Sequence, residues 1–537
     1  MPTQHGFPPP IPSNAPLPWL SWTYSLIFPV ALLALIVTLV VSAVAGDDPT
    51  PQPTPPNESL AAQQNPTSQA STDVADTPPG TTAPSQPTRF AQSTPAAAST
   101  PLSGGSNEGV VTDTSGAPVT GAIVGNGTQF VVTGSDGVFQ IDSPASDAQL
   151  SIQAAGYQAV SVTPNTDGEG LAVALERQQI NALYFNPNFS YDDESIQTYI
   201  DMINSTSANA VVIDIKEEVV YFDSQVQLFV DAGTVQPTMD LPALIKRFED
   251  EGIYTIARLV VFKDGLVAQH DPSLGVLNNQ TGDLWRDNNG VAWVNPMVHV
   301  LWDANVELAV EAAGFGFDEI QYDYIRFPTD GDFSTMDFGL ENTQENRENA
   351  INGFLDQSRA ALAPLGVRQS ADVFGYSLVV DNDNGIGQNY PEVAARVDYI
   401  SPMIYPSHWP EGTLNVPGHS NDFPYDTVRI SMVLSAQKGV DPLKVRPWLQ
   451  DFSFPGMMEY GDQEVADQIR AAEEAGASGW LLWDPDNRFS PGGIPVEETI
   501  PTPATPVAQL PELVLAQGRN LALVGTRKAG GWLRPSL

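Results

Sequence analysis

Carboxyl and aromatic side chains cluster in the run FDEIQYDYIRFP, which begins at residue 317. If this run is a strand, alternation gives it two sets of side chains: Glu319, Gln321 and Asp323 on one face, and Tyr322, Tyr324 and Arg326 on the other. A carboxylate at the end of a strand can act as acid, base or nucleophile in the cleavage of a glycosidic bond. Asp323 is therefore the first catalytic candidate, and a structural ion pair with Arg326 is the alternative.

Glycosidic cleavage also needs a second carboxyl group. One protonated acid assists the leaving group, while the other carboxylate acts as nucleophile or base. Asp372, in the run QSADVFGYS, also stands at the end of an apolar run and is the second catalytic candidate. The alternative for Asp372 is a cap for the next helix, because Asp is a preferred N-cap residue.

Ten further residues at or near the ends of apolar runs are predicted to contact the substrate. Tryptophan and tyrosine rings cover the apolar faces of sugar rings, while polar neighbours bind hydroxyl groups. The candidates are Asp214, Lys216, Arg258, Gln321, Arg326, Tyr405, His408, Trp448, Trp483 and Asp484. Asp214 and Lys216 share a face by alternation, and an ion pair that holds a substrate hydroxyl or a loop is favoured for them over proton donation.

The elements that must position these residues follow residue 178, where apolar β-type runs alternate with amphipathic helical stretches. The predicted strands are 180–185, 210–216, 254–262, 319–327, 369–376, 398–405, 444–449 and 479–484. Predicted helices include 240–251, 299–313, 345–363 and 463–475. Eight strands within roughly 310 residues fit a (β/α)8 TIM barrel, whose active site lies at the C-terminal strand ends. An open doubly wound sheet is the alternative, but no glycine-rich phosphate loop follows any strand.

The connection between the third and fourth predicted strands is long and contains TGDLWRDNNGVAWVNP, with Trp285, Arg286, Asp287 and Trp293. Long loops in compact domains are usually functional or disordered, and this one is too aromatic to be disordered. We expect it to form a wall of the cleft. The alternative is that both tryptophans only fix the loop onto the barrel.

Composition excludes several classes of function. The chain has 537 residues, with 23 Lys and Arg against 64 Asp and Glu for a formal net charge of −41, and it contains no cysteine. This acid excess repels phosphate backbones, so no nucleic-acid partner is expected. The missing cysteines exclude disulfides, thiolate metal sites and cysteine nucleophiles. Phosphate-loop, HExxH and GxSxG motifs are absent, so no cofactor is predicted.

The loop 381–392 contains acidic residues of the type that bind calcium. Asp381, Asp383 and Glu392 have calcium-loop spacing, but Ile386 occupies the position that requires glycine. We therefore predict a plain loop and no metal site.

The N-terminal region predicts a location at the membrane. After a short segment, 1–25, residues 26–45 carry no charge and at 1.5 Å per residue would span a bilayer as one transmembrane helix. Residues 46–106 are rich in Pro, Thr and Ser and predict a disordered linker. We expect a single-pass protein of the cell membrane with its domains outside the cytoplasm; the alternative is secretion after cleavage behind Ala45.

Short β-type runs separated by turn residues predict an all-β sandwich over 107–177. Its Gly121-Ala122, Asp136-Gly137 and Gly156-Tyr157 pairs resemble the carboxypeptidase regulatory-like domain, which implies an immunoglobulin-like fold serving as a spacer or adhesion module. The predicted barrel then occupies 178–490, and a Pro-rich tail without an assigned role occupies 491–537.

Eight blocks between about residues 180 and 490 resemble, in order, a family of bacterial glycosyl hydrolases of the TIM-barrel type. They are VVIDIKEE, IARLVVFKD, WVNP, GFDEIQYDYIRFP, SADVFGY, YISPMIYPSHW, RPWLQDF and GWLLWD. The resemblance implies a barrel with a catalytic acid after its fourth strand, which corresponds to Asp323; it does not identify the second carboxyl group. We therefore expect a membrane-anchored extracytoplasmic glycoside hydrolase that acts on a polysaccharide or oligosaccharide. The alternatives are a non-catalytic carbohydrate-binding barrel at the cell surface and a structural wall-anchoring protein.

Overall fold

The computed structural model describes residues 106–143, 149–164, 170–186 and 192–496. The predicted segment 1–25, the transmembrane helix 26–45, the linker up to residue 105 and the tail beyond 496 lie outside these ranges. Among the helices of the described residues, none combines the length and apolar character needed to cross a bilayer. The first residues of the predicted tail belong to the barrel instead, because Ile494 is buried in its outer core.

Seven short strands form two small sheets that share an apolar core. The strands are β1 (Ser106–Asp113), β2 (Ile123–Gly125), β3 (Phe130–Val132), β4 (Val138–Asp142), β5 (Leu150–Gln153), β6 (Val160–Val162) and β7 (Leu171–Leu175). One sheet has the order β4-β1-β7, and the other has the order β3-β2-β5-β6. Alternation along β4 buries Phe139 and Ile141 between exposed neighbours. The immunoglobulin-like topology and the regulatory-like resemblance remain predictions.

Eight parallel strands close into a barrel, and the predicted (β/α)8 architecture is confirmed. The strands are β8 (Ile180–Phe185), β9 (Ala210–Lys216), β10 (Tyr254–Val260), β12 (Glu319–Asp323), β14 (Arg368–Phe374), β15 (Tyr399–Met403), β16 (Trp448–Gln450) and β17 (Gly479–Trp483). Two short strands in the loops, β11 (Leu277–Asn278) and β13 (Met336–Asp337), pair antiparallel. The barrel order is β10-β12-β14-β15-β16-β17-β8-β9. Each predicted strand overlaps an observed one.

Helices cover the outside of the barrel. They are α1 (Asp193–Asn204), α2 (Gln227–Asp231), α3 (Leu241–Asp250), α4 (Gly265–His270), α5 (His299–Ala313), α6 (Gln344–Leu362), α7 (Tyr390–Arg396), α8 (Pro424–Gln437) and α9 (Asp462–Glu474). Asp240 and Thr343 cap α3 and α6 by accepting a hydrogen bond from the third backbone N–H beyond them. The outward ring of Tyr322 on β12 packs edge-on against Phe354 of α6, with ring centroids 4.9 Å apart. This packing turns the other face of β12 toward the barrel interior.

The N-terminal end of the barrel interior holds a buried ion pair between Glu319 and Arg446, both with fully buried side chains. Tyr254 Oη donates to Glu319 Oε2 (3.0 Å), and Ser370 Oγ donates to Glu319 Oε1 (2.5 Å). The Arg446 guanidinium also lies over the Tyr399 ring, 4.4 Å from its centroid. These contacts surround both members of the pair with polar and aromatic partners.

The β1–β7 sheets contact this same end of the barrel. Arg368, at the start of β14, donates through Nη2 to the carbonyl of Tyr157 (2.5 Å), and the backbone N–H of Gly156 donates to Tyr399 Oη (3.2 Å). A third contact joins Gly127 N to Pro364 O (2.8 Å). The small sheets therefore supply hydrogen-bond partners to side chains of the barrel interior.

The long β10–β12 connection uses its two tryptophans in different ways. Trp285 is buried and donates through Nε1 to Asp332 O (3.1 Å), so it fixes the loop. Trp293 donates to Asp287 Oδ2 (3.2 Å), and its ring lies 5.9 Å from that of Tyr324. The residues that line the cavity described below include none from this connection, so the expected wall is not formed there and the contacts of both tryptophans agree with the alternative, in which they fix the loop.

Candidate active site

A cavity of about 170 Å³ opens at the C-terminal ends of the barrel strands. It is lined by Tyr184, Arg258, Asp323, Tyr324, Arg326, Asp372, Phe374, Met403, Tyr405, Trp448 and Trp483. Drug-sized ligand sites have volumes of about 300–1,000 Å³, so this cavity is smaller than such sites. Seven of the predicted site residues are among the lining residues.

Arg258 of β10 holds the carboxylates of three neighbouring strands around one guanidinium group. Nη1 contacts Asp214 Oδ1 at 2.5 Å, Nη2 contacts Asp323 Oδ2 at 2.5 Å, and Nε lies 3.7 Å from Asp372 Oδ2. Because side chains from different strands point into the same barrel interior, residues far apart in sequence meet here. Asp323 therefore pairs with Arg258, and not with Arg326 as the sequence alternative proposed.

Asp372 is the most unusual carboxyl group of the cavity. Its side chain is 1% exposed, its Oδ1 accepts a hydrogen bond from Trp448 Nε1 (2.8 Å), and its Oδ2 has no hydrogen-bond partner among the described residues. Burial raises the pKa of Asp372 well above its ordinary value, the charge of Asp323 raises it further, and Arg258 opposes both effects. The raised pKa thus favours the protonated form of Asp372.

Asp214 faces the barrel interior but lies beneath the cavity. It is fully buried, accepts a hydrogen bond from Tyr184 Oη at 2.6 Å and pairs with Arg258. Burial raises its pKa from 3.8 to about 6, and the Arg258 charge opposes this rise. Asp214 therefore supports Arg258 and Tyr184, and the predicted direct contact with the substrate does not agree with this placement.

The backbone turns sharply after Asp323 because Tyr324 adopts a φ of +50°, a conformation that bulky side chains rarely take. The backbone N–H of Tyr324 donates to Asp323 Oδ1 at 2.6 Å. The strand ends at this turn, so the predicted continuation of alternation to residue 326 is wrong. As a result, Tyr324 and Arg326 line the same cavity as Asp323.

Aromatic rings form a second wall of the cavity. Tyr184 lies edge-on to Trp448 and Trp483, with ring centroids 6.3 and 6.2 Å apart, and Tyr405 lies 5.3 Å from Trp483. These rings come from the last residues of β8 and β17, from the first residue of β16 and from the residues after β15. Together they provide the apolar surface on which a sugar ring can stack.

Four other predicted contact residues do not line the cavity. Lys216 points away from the cavity because the register between β9 and β10 shifts after Arg258. Arg258 lies opposite Asp214, but the next residue, Leu259, lies opposite Lys216, so Lys216 is on the outer side of the barrel with Leu259. There it pairs with Asp264 at 2.9 Å. Gln321 faces the interior below the cavity and is fully buried, with Ser401 Oγ 3.5 Å from its Nε2.

The remaining two lie in the loops after the strands. Asp484 accepts hydrogen bonds from the backbone N–H groups of Asp486 and Arg488 (2.7 and 2.9 Å), so it organises its own turn. His408 packs against Tyr405 and Phe452, and burial lowers its pKa to about 4.

Four lining residues were missed as site residues: Tyr184, Tyr324, Phe374 and Met403. Tyr184, Phe374 and Met403 stand in the last two positions of β8, β14 and β15, so their places at strand ends are the signal that could have identified them.

In loop 381–392, which was weighed above as a calcium loop, the carboxylates pair with basic side chains. Asp383 pairs with Arg347 (2.6 Å) and Asp381 pairs with Lys438 (3.2 Å).

A family model described as "Putative glycosyl hydrolase domain" matches residues 182–489. No curated protein matches the chain. Among solved structures, a hypothetical protein from Ruminiclostridium thermocellum ATCC 27405 is 36% identical over 36% of this chain and 97% of its own, with a TM-score of 0.32.

Two further solved structures are more distant in sequence. The PgaB (BpsB) glycoside hydrolase domain from Bordetella bronchiseptica is 13% identical over 60% of this chain and 99% of its own, with a TM-score of 0.45. The catalytic domain of beta-amylase from Paenibacillus polymyxa is 12% identical over 60% of this chain and 96% of its own, with a TM-score of 0.39. Because the family model covers more than half of the 537 residues, this chain belongs to that family of glycosyl hydrolases.

Proposed function

We propose that this glycoside hydrolase cleaves a polysaccharide or oligosaccharide with Asp372 as the acid and Asp323 as the nucleophile or base. The observation that carries the proposal is that both carboxyl groups line one cavity and contact one guanidinium group, Arg258. Cleavage of a glycosidic bond requires two such groups in opposite protonation states. Asp372 is assigned the role of the acid because burial raises its pKa.

Asp372 has the properties of the acid. Burial and the charge of Asp323 raise its pKa, which favours the protonated form, and Oδ2 is the oxygen without a hydrogen-bond partner among the described residues. The hydrogen bond from Trp448 Nε1 to Oδ1 fixes the orientation of the group. Oδ2 is therefore the oxygen assigned to carry the proton toward a leaving group in the cavity, which Asp372 lines.

Asp323 has the properties of the carboxylate. Arg258 Nη2 contacts Oδ2 and the Tyr324 N–H contacts Oδ1, so both oxygens are oriented by donors that favour a negative charge. The side chain is 9% exposed, which leaves it accessible from the cavity. Attack on the anomeric carbon, or on a water beside it, is the step assigned to Asp323.

We further infer that the apolar stretch 26–45 anchors the chain in the cell membrane, with the barrel outside the cytoplasm. Its support is the uncharged 20-residue stretch followed by a linker rich in Pro, Thr and Ser. Retention of the full chain in carbonate-washed membranes is expected. A mature protein that begins at Gly46 and is found in the medium would show secretion instead.

The catalytic proposal is tested with the full chain carrying Asp323→Asn, assayed for reducing-end release on a panel of polysaccharides. A loss of about 10²–10⁴-fold is expected, because removal of a catalytic carboxylate removes a major transition-state interaction. The matched control is Asp250→Asn, an exposed residue of α3 that pairs only with Lys246. Unchanged turnover by Asp323→Asn would remove Asp323 from the mechanism. Glycan binding by the parent chain without reducing-end release would favour the non-catalytic alternative.

A further inference from the structure

Arg326 is a buried cation in the wall of the cavity. It is 2% exposed, and its guanidinium carbon lies 4.9, 4.6 and 4.5 Å from the ring centroids of Trp293, Tyr324 and Phe374. Three aromatic rings thus surround the charged group, and the cavity lies beside it. Cation–π contacts of this kind stabilise a desolvated charge but do not neutralise it.

The charge of Arg326 has no ion-pair partner among the described residues. Its Nη1 donates to Phe327 O and Thr329 Oγ1, both at 3.2 Å, which are uncharged acceptors. The charges of Asp323 and Asp330 act on Arg326 only from beyond ion-pair distance, and Asp323 contacts Arg258 and the Tyr324 N–H instead. Arg258, in contrast, has three carboxylates within ion-pair distance. The two arginines of the cavity therefore differ in whether a carboxylate of the described residues pairs with them directly.

Buried charges in proteins are ordinarily paired, because an isolated charge in a low-dielectric site is costly. An unpaired arginine at a ligand cavity is therefore positioned to pair with the ligand. The planar guanidinium group matches a carboxylate in a bidentate geometry, and such charge-assisted pairs are about twice as strong as neutral hydrogen bonds.

We propose that the sugar bound in this cavity carries a carboxylate group, and that Arg326 is its counter-ion. This inference rests on the proposed function only in placing a sugar in the cavity. The carboxylate belongs either to the ring itself, as in a uronic acid, or to a lactyl ether on the ring; both present the same chemistry to Arg326. Arg326 is then the residue that determines specificity for an acidic sugar over its neutral counterpart.

The net charge of the whole chain is compatible with this local site. The formal charge of −41 opposes the binding of a polyanion along a broad surface. Exposed charges are screened beyond about 10 Å at 0.1 M salt, so the distant acidic residues weaken a direct contact between Arg326 and one ligand carboxylate much less. A glycan in which an acidic sugar alternates with uncharged ones agrees with both the negative net charge of the chain and the buried Arg326. A densely charged polyuronate agrees with the buried Arg326 but not with the net charge.

The test compares binding of acidic and neutral sugars to the full chain by calorimetry at constant ionic strength. The pairs are glucuronate with glucose, galacturonate with galactose, and N-acetylmuramate with N-acetylglucosamine. We expect one acidic sugar to bind about 10- to 100-fold more tightly than its neutral partner, from the strength of a charge-assisted pair. Preference for a uronate or for N-acetylmuramate identifies the source of the carboxylate. Equal or tighter binding of every neutral partner, or no binding of any acidic sugar, overturns the proposal.

Variants of Arg326 separate recognition from folding. Arg326→Gln should abolish the preference, and Arg326→Lys should retain part of it because the charge remains while the fork of donors is lost. Arg286→Gln is the matched control for one lost charge and should keep the full preference. Arg286 is an exposed arginine of the β10–β12 connection. If Arg326→Gln does not fold, the comparison of sugars in the parent chain and in Arg326→Lys still decides. A preference that survives in a folded Arg326→Gln variant overturns the assignment to Arg326.

The result is separable from that of the hydrolase proposal. Acidic-sugar preference without cleavage of any polysaccharide would leave the inference standing and remove the enzymatic function. Cleavage that depends on Asp323, without any preference for acidic sugars, would do the reverse.

Discussion

Strands β12 and β14 each carry one charged residue near their N-terminal end and one near their C-terminal end. The surroundings of these charges differ between the two ends of the barrel interior. At the N-terminal end, Glu319 and Arg446 pair with each other, and the small β1–β7 sheets contact the same end through Arg368. At the C-terminal end, Asp323 and Asp372 share Arg258 beside an open cavity. Burial of charge is common to both ends, and the cavity described above lies at the C-terminal one.

This difference shows why buried charge alone does not identify an active site. Glu319 accepts from Arg446, Tyr254 and Ser370, so its charge is matched within the fold. Asp372 has one oxygen with no partner among the described residues, and its pKa is raised by burial and by Asp323. A strongly perturbed group that also reaches a cavity is the better functional candidate.

The largest expected effect breaks the C-terminal end. Asp372→Asn should lower kcat by about 10²–10⁴-fold, because the proton that assists the leaving group is lost. The melting temperature should not fall, since asparagine carries no buried charge. Steady-state kinetics and thermal unfolding of the full chain measure the two effects, and a variant with parental kcat would contradict the assignment of Asp372 as the acid.

The opposite pattern is expected at the N-terminal end. Glu319→Gln leaves the buried Arg446 without its counter-ion, which should lower the free energy of unfolding by about 3–5 kcal/mol. The kcat of the folded fraction should be unchanged. Denaturant unfolding measures the stability, and Glu392→Gln at the exposed pair with Arg396 is the control, with an expected loss below about 1 kcal/mol. A fall in kcat at parental stability would show that the two ends are not separate in role.

Asp214 lies between these cases, and its contribution depends on pH. Its folded pKa of about 6 lies above the ordinary 3.8, so the folded state binds the proton more tightly and the free energy of unfolding falls as pH rises from about 4 to 6. This fall amounts to about 3 kcal/mol at 1.36 kcal/mol per pKa unit. At higher pH, the contribution of Asp214 to the free energy of unfolding no longer changes. Asp214→Asn should remove it. Unfolding curves at several pH values measure the slope, and equal slopes for parent and variant would contradict the raised pKa.

The smallest effect sharpens the role of Trp448. Its hydrogen bond lowers the pKa of Asp372, so Trp448→Phe should raise that pKa and move the alkaline limb of the kcat profile to higher pH. Trp483→Phe is the matched control, because Trp483 lines the same cavity while the indole that bonds Asp372 belongs to Trp448. A shift to lower pH in Trp448→Phe, or the same shift in both variants, would contradict this role.

Much of the fold could be predicted because the barrel strands are apolar runs with clear boundaries. Asp323 and Asp372 could be selected because polar residues at the ends of such runs are rarely needed for packing. Lys216 was misplaced because the register shift beside Arg258 is a property of two strands together, and alternation within one strand does not reveal it. Tyr324 was misplaced because its positive φ is a local departure that its residue type does not signal. The three partners of Arg258 could not be predicted because they come from separate strands.

The contact between Tyr157 and Arg368 has a practical consequence for work with shorter fragments. The sequence boundary at residue 178 looks like a natural place to start a recombinant barrel, yet a fragment cut there would lose the Tyr157 carbonyl and the Gly156 amide that bond Arg368 and Tyr399. A fragment that begins at residue 106 or earlier keeps both partners. The two parts are consecutive along the chain but share one polar interface.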